Sequence, residues 1–157
     1  MLYEGNSLSD QVSFFDVTSS FGNLLSLRLS RIIGHLQKNV YPLQPISSIV
    51  RREKVKEIEI ELSSWKEEAA TFIYLQESIF SNRLTAFQGR ALKLALANIE
   101  ILLYRTYLLD DVDEYLSADL IKESAEKADL CLDAALRTTE MINGFSLEVK
   151  KFKASWV

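Results

Sequence analysis

Apolar positions along this chain recur at helical spacing. Leu25, Leu29, Ile32, Leu36 and Val40 stand four, three, four and four residues apart, which sets them on one helical face. Ser20 is a good N-cap residue, so the helix is predicted to begin near it, with residues 1–20 an irregular lead-in. Pro42 and Pro45 end it, because proline lacks the N–H donor and clashes with the preceding turn. A second helix is predicted from about Ser48 to Ala70. Val55, Ile58, Leu62, Trp65 and Ala69 form its inner face, with Arg51, Arg52, Glu53, Lys54, Glu57, Glu59 and Glu61 on its other faces. A less regular piece, Thr71 to Asn82, follows.

The third helix, Leu84 to Leu109, differs in kind. Phe87, Ala91, Leu94 and Ile101 share one face, Leu92, Leu96, Ile99 and Leu103 the opposite one. Only a narrow arc near Gly89, Lys93 and Glu100 is polar. A helix apolar nearly all round is surrounded by others, so this one is predicted to be the centre of a bundle. The acidic run Asp110, Asp111, Asp113, Glu114 reads as a loop. Ser117 suits the cap of a fourth helix and Asp119 its first turn. Ile121, Ala125, Ala128, Leu132, Ala135 and Ile142 mark the expected buried face, and Asn143-Gly144 the expected end. The fold class is all-α: a helical bundle with amphipathic helices around residues 84–109.

Composition narrows the function. At 157 residues and 17.9 kDa the chain is one ordinary domain. Apolar residues at 48% and charged residues at 25% exclude wholesale disorder. Five glycines and two prolines are too few for an all-β chain of tight turns. A net charge of −4 argues against a nucleic-acid footprint. The stretch from Ala91 to Leu109 is broken by Lys93, Asn98, Glu100 and Arg105, so no membrane span is expected. The amino end holds Glu4 and Asp10 without a basic run, so no secretory signal is expected either. A soluble intracellular chain is the default.

Candidate chemistry is sparse. One cysteine, Cys131, and one histidine, His35, supply no zinc cluster. Cys131 is expected to be a small buried hydrophobe, and His35 a surface histidine without catalytic partners. A calcium loop at Asp110–Glu114 fails because Tyr115 stands where glycine is needed and Ile121 where glutamate is needed. Arg51, Arg52, Lys54 and Lys56 are interleaved with Glu53, Glu57, Glu59 and Glu61, which cancels the field a DNA contact needs. Asn98 and Arg105 share the face of Leu94 and Ile101. A guanidinium there needs a carboxylate or backbone carbonyls, with Asp110 or Asp111 the natural partners. No catalytic residue, metal ligand or cofactor is expected.

The segment Leu62-Ser-Ser-Trp65, then Ala91 through Leu109 with Tyr104-Arg105 inside it, then Cys131-Leu-Asp-Ala134-Ala135, resembles the regulatory, or middle homology, domain of fungal zinc-cluster transcription factors. Members commonly show an L-x-x-W helix, a long apolar helix ending in an Arg-Pro step, and a Cys-x-x-Ala-Ala run. Helix one with Tyr41 resembles the helix before the L-x-x-W element, and Phe152 with Trp156 loosely matches a later Phe-Trp segment. The resemblance covers about residues 20–157. Two departures are plain: Ala69-Ala70 stands where the family often has Leu-Pro, and Thr106 where it usually has proline.

The resemblance implies a regulatory, effector-sensing domain over residues 21–157, a piece of a larger helical domain, in a nuclear regulator of transcription. Trp65, Asn98 and Arg105 are its structural or regulatory candidates. The family's zinc-holding six-cysteine cluster is absent here, since Cys131 is alone; DNA would be reached only through a missing segment. Implied partners are the remainder of a transcription factor or a co-regulator, a second copy of the chain, or a small lipophilic effector lining up along helix three. The alternative is a stand-alone helical adaptor or dimerisation module. An enzyme is the weakest reading, because the inward faces offer chiefly Asn98 and Arg105 as polar groups.

Overall fold

The computed structural model describes residues 8–75, 83–109 and 117–154, with side chains over 20–73, 86–108 and 117–147. Its elements are four helices: α1 (Leu8–Val40), α2 (Ser48–Leu75), α3 (Arg83–Leu109) and α4 (Ala118–Ala154). The all-α bundle is as expected. Helix α1 stops before Pro42, and Ser47 caps α2: the Val50 N–H donates to Ser47 Oγ at 3.3 Å and the Arg51 N–H to Ser47 O at 3.0 Å. Ser117 caps α4 in the same way, receiving the Leu120 N–H. Both caps satisfy donors that the first helical turn leaves open.

Three boundaries differ from expectation. Helix α1 begins at Leu8, not near Ser20, because the serine-rich stretch holds no glycine or proline between Leu8 and Phe21 to interrupt a helix. Helix α2 continues past Ala70 to Leu75. Helix α4 runs through Asn143-Gly144 to Ala154; no described glycine takes a positive φ, and Gly144 is an ordinary helical residue. Helix α3 continues through Thr106, whose hydroxyl donates to Leu103 O at 3.1 Å and is thereby satisfied inside the core. The acidic run 110–114 lies outside the described residues.

The core follows the predicted stripes of α1 and α2. Leu25, Leu29, Ile32, Leu36 and Val40 meet Val55, Ile58, Leu62, Trp65, Ala69 and Phe72, closed by Leu92, Ile99 and Leu103 of α3. Helix α3 packs against each of the other three helices. Among the described residues, no Cα of α4 comes within 8 Å of α1 or α2, so α4 rests on α3. The pair is antiparallel, since Lys127 reaches Tyr104 while Phe145 lies under Arg90.

That arrangement corrects two expectations. Helix α3 is not sheltered on almost every side: Phe87, Ala91, Asn98 and Arg105 face solvent in the gap between α1 and α4. Three neighbours leave one side of a helix uncovered. The predicted buried face of α4 is also its outer face. Ile121, Ala125, Leu132, Ala135 and Ile142 are exposed, while Cys131 and Ala134 are buried against α3. Cys131 is buried as expected, but the rest of the inner face is small and polar, with Ser124, Lys127, Arg137 and Thr138 flanking Cys131 and Ala134, and carries no aliphatic stripe to mark it.

Candidate functional site

Helix α3 carries a carboxylate into the core. Glu100 sits between buried Ile99 and half-buried Ile101 and is only 5% exposed, where an unpaired charge would be costly. One of its oxygens is ion-paired with Lys66 of α2, the other with Arg137 Nη2 of α4 at 2.6 Å. Arg137 also donates through Nε to Asp133 Oδ2 at 2.8 Å. Burial disfavours the Arg137 charge, but the hydrogen bonds to Glu100 and Asp133 outweigh it and hold the guanidinium pKa above its ordinary value.

A second layer lies one turn along α3. Lys127 of α4 is ion-paired with Glu59 of α2 and stands 5.4 Å from the centre of the Tyr104 ring. The Tyr104 hydroxyl donates to the Glu59 carboxylate; burial, and then that carboxylate, raise the phenol pKa well above its ordinary range. A third layer holds Arg52, with its guanidinium 5.2 Å from the Tyr107 ring and its Nη2 donating to Ser124 Oγ at 3.0 Å. Lys56 and Glu123 pair beside it at 3.1 Å. Helices α2 and α4 therefore meet through long charged side chains laid over α3. The carboxylates of this seam face cations or hydroxyl donors, so each buried charge is paired across helices.

The sequence candidates stand elsewhere. Trp65 is buried and its Nε1–H donates to Leu25 O at 2.9 Å, joining α2 to α1. Arg105 does not reach an acidic partner among the described residues; its Nε donates to the Tyr41 hydroxyl at 2.9 Å and its guanidinium stacks 4.8 Å from the Tyr41 ring. The expected partners Asp110 and Asp111 lie outside the described residues. The Tyr41 hydroxyl in turn donates to Leu102 O. An aromatic face serves because Arg105 is exposed and its charge stays hydrated. Asn98 faces solvent. Trp65 is buried between α1 and α2, Asn98 and Arg105 lie on the exposed face of α3, and none of the three belongs to the seam.

His35 is half-exposed, with Nδ1 2.9 Å from Glu61 Oε2; the carboxylate only accepts, so Nδ1 carries the proton. Cys131 is buried, its thiol donating to Ile101 O at 3.7 Å, and burial raises its pKa against the opposing pull of Arg105. Two open grooves flank the core. One of about 360 Å³ between α1 and α2 is lined by Arg28, Arg31, Ile60, Glu61, Ser64 and Trp65. The other, about 240 Å³, lies between α3 and α4 at Arg90, Lys93, Met141 and Phe145.

Sequence reasoning missed Glu59, Lys66, Glu100, Lys127 and Arg137. One signal was available: an acidic residue between two isoleucines in the most apolar helix needs a cation from each neighbour. No group of three or more metal-ligating side chains occurs among the described residues, and none of their helices is long and apolar enough to cross a membrane. No family model, curated protein or solved structure matches this chain.

Proposed function

We propose that this chain is a non-catalytic helical regulatory module, of the kind found in fungal transcription factors, that works by displacement of α4. The observation supporting this reading is the seam: α4 is tied to α2 by Lys127–Glu59, Lys56–Glu123 and the shared Glu100, with no close backbone contact between the two helices. Ionic links between long side chains have several near-equal arrangements, whereas an interdigitated apolar core has one. A partner or effector that favours one arrangement of α4 shifts the population toward it. The partner is the remainder of a regulator or a co-regulator, and the groove at Met141 and Phe145 is where a small lipophilic effector would reach α4. The compartment is the nucleus, and DNA is reached only through another segment.

The test is fusion to a heterologous DNA-binding domain in yeast, with a reporter and imaging. The reading expects nuclear retention and a reporter output that differs from the DNA-binding domain alone. Glu100→Gln should alter that output without loss of the protein. Unchanged output from both fusions rejects the transcriptional role. The alternative, a stand-alone adaptor, is favoured by the exposed apolar residues of α4 and expects binding without any reporter effect.

A further inference from the structure

The outer face of α4 carries an apolar stripe that nothing in this chain covers among the described residues. Ile121, Leu132, Leu136 and Ile142 are 46%, 60%, 58% and 52% exposed. Ala125, Ala135, Thr139 and Ser146 are exposed with them, and Ala128 is half-buried. Positions 121, 125, 128, 132, 135, 139, 142 and 146 alternate four and three apart, the seam of a coiled coil. This is a surface separate from the charged seam, and the inference stands or falls independently of the regulatory reading.

We infer that this stripe is a homodimer interface in which α4 pairs antiparallel with α4 of a second copy. The side-chain sizes support the occupant. Around a two-fold axis between Asp133 and Ala134, Leu132 falls opposite Ala135 of the other copy, Ala125 opposite Ile142, Ala128 opposite Thr139, and Ile121 opposite Ser146. The three bulky residues at these positions, Ile121, Leu132 and Ile142, each meet a small one, so the two helices interlock closely. A parallel, in-register pair instead stacks alanine on alanine at 125, 128 and 135 and leaves voids there. Ile121, Leu132 and Ile142 are each about half exposed and carry most of the apolar area, so covering the stripe on both copies buries roughly 1,000 Å², the lower bound for a specific interface. The flanking Leu94 and Ile101 of α3, both half-exposed, extend the same side of the molecule.

Sedimentation equilibrium of the whole 157-residue chain tests this. A mass of twice 17.9 kDa is expected, and Leu132→Glu or Ile142→Lys should give a monomer with unchanged helicity and melting cooperativity. Leu27→Glu, at an exposed site on α1, should stay dimeric. In a Cys131→Ala background, Ala125→Cys chains mixed with Ile142→Cys chains should form a mixed disulfide, and neither alone should cross-link. A monomer at about 100 µM, a dimer indifferent to both charged substitutions, or cross-links from Ala125→Cys alone would each overturn it.

Discussion

Glu100 of α3 and Arg137 of α4 meet at 2.6 Å, with the carboxylate almost wholly buried and the guanidinium about two-fifths exposed. Removing the carboxylate leaves Lys66 without that partner and Arg137 with Asp133, and both cations can turn toward water. Glu100→Ala should therefore cost about 1–3 kcal/mol, less than the loss of a fully enclosed partner. The triple substitution Lys66→Met, Glu100→Leu, Arg137→Met should recover most of it. Urea unfolding of the wild-type chain and the two variants measures both numbers.

Gly22 and Gly144 should respond to alanine with opposite signs. A Cβ on Gly22 would stand 2.8 Å from the Phe72 ring and 3.0 Å from Gln88 Oε1, where α1 meets both α2 and α3. Phe72 is held edge-on by Phe21 at 5.9 Å and has little room to yield. Gly22→Ala should lose about 1–3 kcal/mol. Around Gly144 nothing lies within 4 Å of the new Cβ, so Gly144→Ala should gain up to about 1 kcal/mol from helix propensity. Thermal melts of the two variants decide the signs.

Tyr41 should matter more than Arg105. Its hydroxyl ties the turn after α1 to Leu102 O on α3, so Tyr41→Phe should cost about 1 kcal/mol. Arg105 is exposed and stacks on that ring, so Arg105→Ala and Arg105→Leu should each cost less than about 1 kcal/mol. A double-mutant cycle on the pair checks the ranking.

Stability should fall in alkali through Tyr104. Its folded pKa lies above the unfolded one, so the unfolded chain gives up the phenol proton first. The contribution is whole below the unfolded value, about 10, and is lost as pH rises beyond it. Tyr104→Phe should flatten the decline in melting temperature above that pH. Cys131, also raised by burial, adds an earlier decline from the ordinary thiol range that Cys131→Ala should remove.

The inner stripes of α1 and α2 were legible because their large aliphatic residues repeat at one helical period and their other faces are charged. Trp65 was legible as a core residue, but its bond to Leu25 O depends on where α1 lies. Helix α4 was misread because both of its faces hold apolar side chains, and the larger ones point outward. Size favoured Ile121 and Leu132 over Ala134, while burial of Cys131 was legible from its residue type alone. The seam was hidden for a different reason. Lys66, Glu100 and Arg137 come from three helices, and only the packing of α2 and α4 over α3 turns three ordinary charges into one group.

The order of pairing has a kinetic consequence. The most extensive packing joins sequence neighbours, α3 with α4 and α1 with α2, and the α1–α3 contact then unites the two hairpins. Closing the two short loops before the longer one spends little chain entropy before native packing begins to reward it. Such a chain should collapse quickly into two preformed halves, with their docking as the slow event.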